Sequence, residues 1–202
     1  MKKAILADFN VIPGAIGTLQ ENDLQSQLPM PRAPIDIRVA EFYSEADRSD
    51  LAGGEKDPSQ TGAYQLRWRP TEKHVLIVEG GRNVCHVGLV KHTVAVEGLP
   101  VPIAGIGGVL TRPECRGRGY ARIAMKAAEA FALSQMGVNF MLLFCRPALQ
   151  SWYEGLGWVK VSSAVWIEQQ QGTIVQPLVS MVKCLGPKQW PQGEVRLGCL
   201  PW

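Results

Sequence analysis

The chain has 202 residues, 46% hydrophobic and 19% charged, with a formal net charge of +3. That length suits one domain with an appended arm, and the mild charge leaves no electrostatic footprint for nucleic acid or an anionic membrane surface. The five cysteines (Cys85, Cys115, Cys145, Cys184 and Cys199) are odd in number and far apart, and they form no Cys-x-x-Cys pair. Neither a disulfide framework nor a zinc site is therefore expected. The opening Met1-Lys2-Lys3-Ala4-Ile5-Leu6 briefly imitates a signal peptide, but Asp8 and Asn10 cut the apolar run. No export and no membrane span are expected, and the expected compartment is the cytoplasm.

In chain order, residues 1–34 carry Pro13, Gly14, Gly17, Pro29, Pro31 and Pro34, with one or two helical turns expected over 20–27. They read as an extension or arm ahead of a domain over 35–202. Ile35, Ile37, Val39 and Phe42 alternate with polar residues and predict a first strand over 35–43. Ser44 is placed to cap a short helix reaching Leu51, and 50–62 is a polar loop. Three strands joined by tight turns follow: 74–79, a turn at Gly80-Gly81, 84–96, a turn at Glu97-Gly98, and 101–111. Gly105, Gly107 and Gly108 weaken that last strand and point to a bulge. Pro113 ends it, and Gly117 and Gly119 free the backbone for a tight loop. From Tyr120, Ile123, Met125, Ala128, Phe131 and Ala132 fall at helical spacing up to Gly137. A strand over 140–145, a short helix bearing Trp152 and Tyr153, strands over 159–165 and 178–184 with a polar turn near 169–172, and an irregular tail that packs back complete the reading.

A glycine-bearing loop that feeds a helix N-terminus is an anion site, because free N–H groups and the positive end of the helix dipole converge there. With Arg116 and Arg118 at its rim, the expected guest is a phosphate or pyrophosphate. A Walker loop is excluded because the loop closes on Tyr120-Ala121 instead of Lys-Ser/Thr. A dinucleotide fingerprint is excluded because Gly117-Arg118-Gly119 leads to Ile123 and Ala124 with no third glycine. The pattern Gln/Arg-x-x-Gly-x-Gly/Ala, filled by Arg116, Gly119 and Ala121, resembles the pyrophosphate loop of the GCN5-related N-acetyltransferase (GNAT) superfamily. Trp152-Tyr153-Glu154-Gly155-Leu156-Gly157-Trp158 resembles that family's Phe/Tyr-Tyr-x-x-x-Gly-Phe ending.

The resemblance implies an α/β (α+β) GNAT fold: a mixed, mostly antiparallel sheet of about seven strands flanked by helices and splayed at the cofactor. It implies acetyl-CoA as co-substrate and no metal. The acetyl-CoA site it implies comprises Val109, Leu110, Thr111, Arg116, Gly117, Arg118, Gly119, Tyr120 and Ala121. The strand bulge would open a slot in which the backbone of Val109 and Thr111 pairs with the pantetheine amides. The tail ending on Trp202 is similar to that of the aminoglycoside 2′-N-acetyltransferases, which makes an amino sugar or aminoglycoside the first acceptor expected and antibiotic resistance a role that would follow. A peptide or protein amine is the second acceptor, and a non-catalytic acyl-CoA-binding sensor the alternative in another class. Nucleic acid and membranes are not expected partners; a homodimer is, by analogy with relatives.

Acetyl transfer from a thioester to an amine needs a placed acetyl group, a donor to its carbonyl oxygen and a proton for the departing sulfur. A backbone N–H near Leu110 or Thr111 suits the second need. Tyr153, protonated at neutral pH and at the position of the family's general acid, suits the third. The base is open. The glutamate that aminoglycoside enzymes carry on this strand is Gly107 here, and Glu79, Glu97 and Glu114 do not stand out. His74, His86 and His92 are scattered over strands and read as core or strand histidines, and Cys115 as a thiol near a helix start whose pKa Arg116 would lower, open to alkylation but not expected as a nucleophile. Trp68 is a candidate lining of the acceptor pocket, with Arg67 and Arg69 on a solvated strand face.

Overall fold

A computed structural model describes residues 34–202. The expected arm over 1–34, with its helical turns over 20–27, lies outside the described residues apart from its last residue. The first described element is strand β1 (Ile35–Ala40), followed by helix α1 (Glu45–Ala52). Ser44 caps α1 in a closed box: its hydroxyl accepts from the Asp47 N–H at 3.0 Å, and the Asp47 carboxylate accepts from the Ser44 N–H at 3.1 Å.

Strands β2 (Lys73–Glu79), β3 (Arg82–Val96) and β4 (Leu99–Thr111) form an antiparallel run through the two expected turns. Helix α2 (Tyr120–Ser134) leads to strand β5 (Phe140–Cys145), and helix α3 (Gln150–Glu154) follows. Strands β6 (Val159–Lys160), β7 (Val165–Gln169), β8 (Gly172–Val175), β9 (Val179–Cys184) and β10 (Val195–Arg196) complete one mixed sheet.

The sheet has ten strands among the described residues, not about seven. The expected strand over 159–165 is two. Val159–Lys160 pairs with β9, the chain then leaves that edge, and β7 starts at Val165 beside β10 and β8. The order β6-β9-β5-β4-β3-β10-β7-β8 forks at β3, whose first half pairs with β2 and whose end pairs with β10. All pairs are antiparallel except β4–β5 and β7–β10.

Two cores flank the sheet. On one face, Val75, Ile77, Val87, Leu89, Ile106, Met141 and Leu143 pack on the small face of α2 (Ala124, Ala128, Ala132), with Tyr153 and Trp158 at the border. On the other, Val90, Val94, Ile103, Leu142, Ile167, Val195, Leu197 and Trp202 close together.

Two breaks in this regular sheet position the site. β4 pairs with β5 only through Ala104, Ile106 and the residue between them, so everything from Gly107 onward has lost its parallel neighbour. The register with β3 also slips between His86 and Gly88, opposite Gly108 in the left-handed region at φ 58°. Gly108 therefore makes the expected bulge, a conformation that an L side chain resists. Gly105 and Gly107 have another reason to be small, because the Trp202 residue lies against them. A Cβ at Gly105 would fall inside the indole, and one at Gly107 would lie 2.8 Å from the Trp202 carbonyl carbon.

Candidate active site

The strand–loop–helix segment and α3 enclose a cavity of about 630 Å³. Val109, Leu110, Thr111, Arg116, Gly117, Gly119, Tyr120, Ala121 and Tyr153 all line it, so nine of the ten expected residues meet at one place. Arg118 is not among the lining residues. Its guanidinium is half-exposed and 3.8 Å from the Glu79 carboxylate. Tyr120 contributes its buried ring, while its hydroxyl donates to Glu79 at 2.6 Å, which ties the loop to β2. Glu79 is thus an anchor, and Glu114 is a solvated partner 3.8 Å from Arg112.

Gly117 (φ 77°) and Gly119 (φ 86°) both need the left-handed region, and among the described residues nothing lies within 4 Å of where their Cβ atoms would be. The loop therefore presents bare backbone to open space. Gly119 caps α2 without a side chain, leaving the first N–H groups of a 15-residue helix free. Arg116 reaches across the cradle, donating through Nε to the Thr111 carbonyl at 3.3 Å and pairing with Glu55 at 2.7 Å. Arg146, at the end of β5, also lines the cavity, and its buried Nε has no hydrogen-bond partner among the described residues. An orphaned guanidinium nitrogen, bare glycine backbone and a helix N-terminus fit a polyphosphate.

Glu55, Pro58 and Gln60 of the polar 50–62 loop and Trp152 also line the cavity, and of these further lining residues Arg146 is one that sequence reasoning did not single out. Arg146 follows a strand as an ordinary boundary residue would, and only the splay turns its side chain to use. Trp68 is half-buried and does not line this cavity. Arg67 and Arg69 lie in an irregular segment, not on a strand; the backbone N–H of Arg69 donates to Pro201 and that of Arg67 to the Gln169 side chain.

Tyr153 is buried and packs edge-on against Trp152, with ring centres 4.8 Å apart. Burial raises its phenol well above the ordinary range, and the Cys145 and Cys85 thiols add to that. Both thiols are themselves pushed up to about 11 by burial. At neutral pH the phenol holds its proton and no thiolate stands beside it.

The histidines are not all scattered. His74 Nδ1 lies 2.9 Å from His86 Nε2, and His86 Nδ1 lies 2.7 Å from the Gly108 carbonyl oxygen. The Tyr43 ring stacks on His86 at 4.4 Å. They are 12 residues apart and meet only through the β2–β3 register. Burial holds His86 down to about 4, with the Gly108 bond opposing. Unfolded, it titrates near the ordinary 6.5. Between those values the unfolded chain binds the extra proton, so stability is full above pH 6.5 and falls as pH drops toward 4. Urea unfolding is expected to show this loss, on the order of 3 kcal/mol. Its absence, or its persistence in His86→Asn, contradicts the assignment.

Among the described residues, no group of His, Cys, Asp and Glu is placed to hold a metal, and no helix is long and apolar enough to cross a membrane.

The family model of the acetyltransferase (GNAT) domain matches residues 49–161. Among solved structures, the chain resembles a GNAT family N-acetyltransferase of Escherichia coli solved in complex with CoA, at 17% identity and TM-score 0.58, covering 85% of this chain and 93% of that one. It also resembles an acyl-CoA N-acyltransferase of Pseudomonas aeruginosa, at 15% identity and TM-score 0.50, covering 75% and 100%. A GCN5-related N-acetyltransferase of Kribbella flavida matches 63% of this chain at 21% identity and TM-score 0.47, and the chain spans 34% of that protein's length. No curated protein matches the chain.

Proposed function

The chain belongs to the GNAT acetyltransferase family, and on that premise we propose that it moves an acetyl group from acetyl-CoA to a primary amine of a small molecule by direct transfer. The observation that carries this reading is the single cavity joining the Arg116–Ala121 loop, the unpaired end of β4 and Tyr153. The Escherichia coli relative with CoA bound supports the ligand class.

Acetyl-CoA supplies the activated thioester. The free N–H groups of the loop and of α2, with Arg116 and Arg146, bind its phosphates. The backbone of Val109 and Thr111, which has lost β5 as a partner, holds the pantetheine arm and offers a donor to the acetyl carbonyl. As the amine forms the C–N bond and the C–S bond breaks, Tyr153 gives its proton to the sulfur, and the proton shed by the amine nitrogen, carried by water, restores the phenol. No strand glutamate serves as base, since Trp202 fills the space over Gly105 and Gly107. An amino sugar remains the first acceptor of this reading, on a surface where Trp202 packs against Gly105 and Gly107 of β4.

Calorimetric titration with acetyl-CoA tests the reading. Binding is expected, and Arg116→Ala is expected to weaken it about tenfold at low salt and less at high salt. No binding, or binding indifferent to Arg116, contradicts it. Binding without turnover on any amine would favour the sensor.

A further inference from the structure

The bulge that opens β4 is held from outside the cavity. A carbonyl oxygen only accepts, so the 2.7 Å contact between His86 and Gly108 requires the hydrogen on His86 Nδ1. The ring is neutral at physiological pH, which leaves Nε2 as an acceptor, and His74 Nδ1 donates to it at 2.9 Å. Both imidazoles are nearly fully buried, and Tyr43 lies flat on His86 with its own hydroxyl donating to the Asp47 carbonyl at 3.0 Å. The rotamer and tautomer of His86 are thereby fixed from both sides.

The Gly108 carbonyl belongs to the same peptide unit as the Val109 N–H. The described residues contain no cis peptide, so that N–H points opposite to the carbonyl, away from His86. Val109 lines the cavity, on the stretch of β4 that has no parallel neighbour. A hydrogen bond to a peptide carbonyl also polarises the unit and makes its N–H a stronger donor.

We propose that His86 is a positioning residue for acetyl transfer. Its Nδ1–H grips the Gly108 carbonyl so that the Val109 N–H is aimed and strengthened as the donor to the acetyl carbonyl oxygen, and His74 locks the tautomer that makes this work. The proposal rests on the acetyltransferase reading above. It also explains why a polar pair occupies the buried face of β2 and β3, where apolar side chains would fill the space without needing partners.

Three variants and three readouts test it. His86→Leu removes the donor and is expected to lower kcat about tenfold, a part of what loss of a whole oxyanion donor costs, with the acetyl-CoA Kd changed less than about twofold. His86→Asn, whose amide nitrogen stands where Nδ1 does, is expected to restore most of kcat. His86→Gln, which keeps polarity but places its amide at the other ring position, is not. In the ligand-free protein, the Val109 amide nitrogen resonance is expected to move in His86→Leu and His86→Gln and to stay near wild type in His86→Asn. Equal kcat in the Asn and Gln variants, a loss of kcat matched by an equal loss of affinity, or a Val109 amide indifferent to all three overturns the proposal. Should the wild-type chain fail to bind acetyl-CoA, the acetyltransferase reading fails instead, and the ligand-free resonance still decides whether His86 polarises this peptide.

Discussion

Replacing Tyr153 with Phe is expected to lower kcat for acetyl transfer about a hundredfold while leaving acetyl-CoA affinity within about twofold. The phenol sits in the wall of the cavity that holds Val109–Thr111, and no hydrogen bond among the described residues engages it. The change deletes one oxygen and keeps the ring packed against Trp152 and Trp158. Stability is therefore expected to move little. Because burial raises the phenol above its ordinary range, it supplies a proton across the whole neutral and mildly alkaline region, and the wild-type kcat should not fall there through loss of the acid. An unchanged kcat in Tyr153→Phe assigns the residue to the core alone, and a large loss of affinity makes it a binding residue.

Gly105→Ala is expected to destabilise the chain by about 3 kcal/mol, the upper range for overpacking a core. The added methyl group would occupy the space of the Trp202 indole, which is buried with His92 edge-on to it and the Phe144 ring tilted against it. β4 is held on both sides at this point by β3 and β5, so the indole must move. Combining Gly105→Ala with Trp202→Ala is expected to cost less than the sum of the two single changes, because the clash disappears with the ring. Additive costs in urea unfolding show that the ring is not what Gly105 accommodates. Since Trp202 covers the same face of β4, Trp202→Ala should also alter KM for the amine more than for acetyl-CoA.

What was legible in the sequence was local. Ser44 followed three residues later by Asp47 marks a cap whatever surrounds it, and Gly117 and Gly119 before an alanine-rich amphipathic run fix a loop and a helix start. The bulge was legible as a cluster of three glycines, but not its division of labour. Only Gly108 takes a left-handed conformation; Gly105 and Gly107 are small because of a residue some hundred positions away. The run 159–165 read as one strand because Val159, Val161 and Val165 fall on one face at period two, whereas the Val161 N–H donates to the Ser180 carbonyl and the chain then changes neighbours. The His74–His86 pair depends on a hairpin register with an irregularity between Ile77 and Val78, which no periodicity encodes. Arg146 is recruited by a strand separation that depends on β4 and β5 together.

The most direct test of the central claim is thiol release from acetyl-CoA by the wild-type chain across a panel of aminoglycosides, simple amino sugars, polyamines, amino acids and short peptides. Turnover is expected on a small-molecule amine, amino sugars first, and is expected to be lost in Tyr153→Phe. Turnover confined to peptides would move the acceptor to another class, and silence across the panel despite acetyl-CoA binding would contradict the claim that this cavity catalyses acetyl transfer to a small amine.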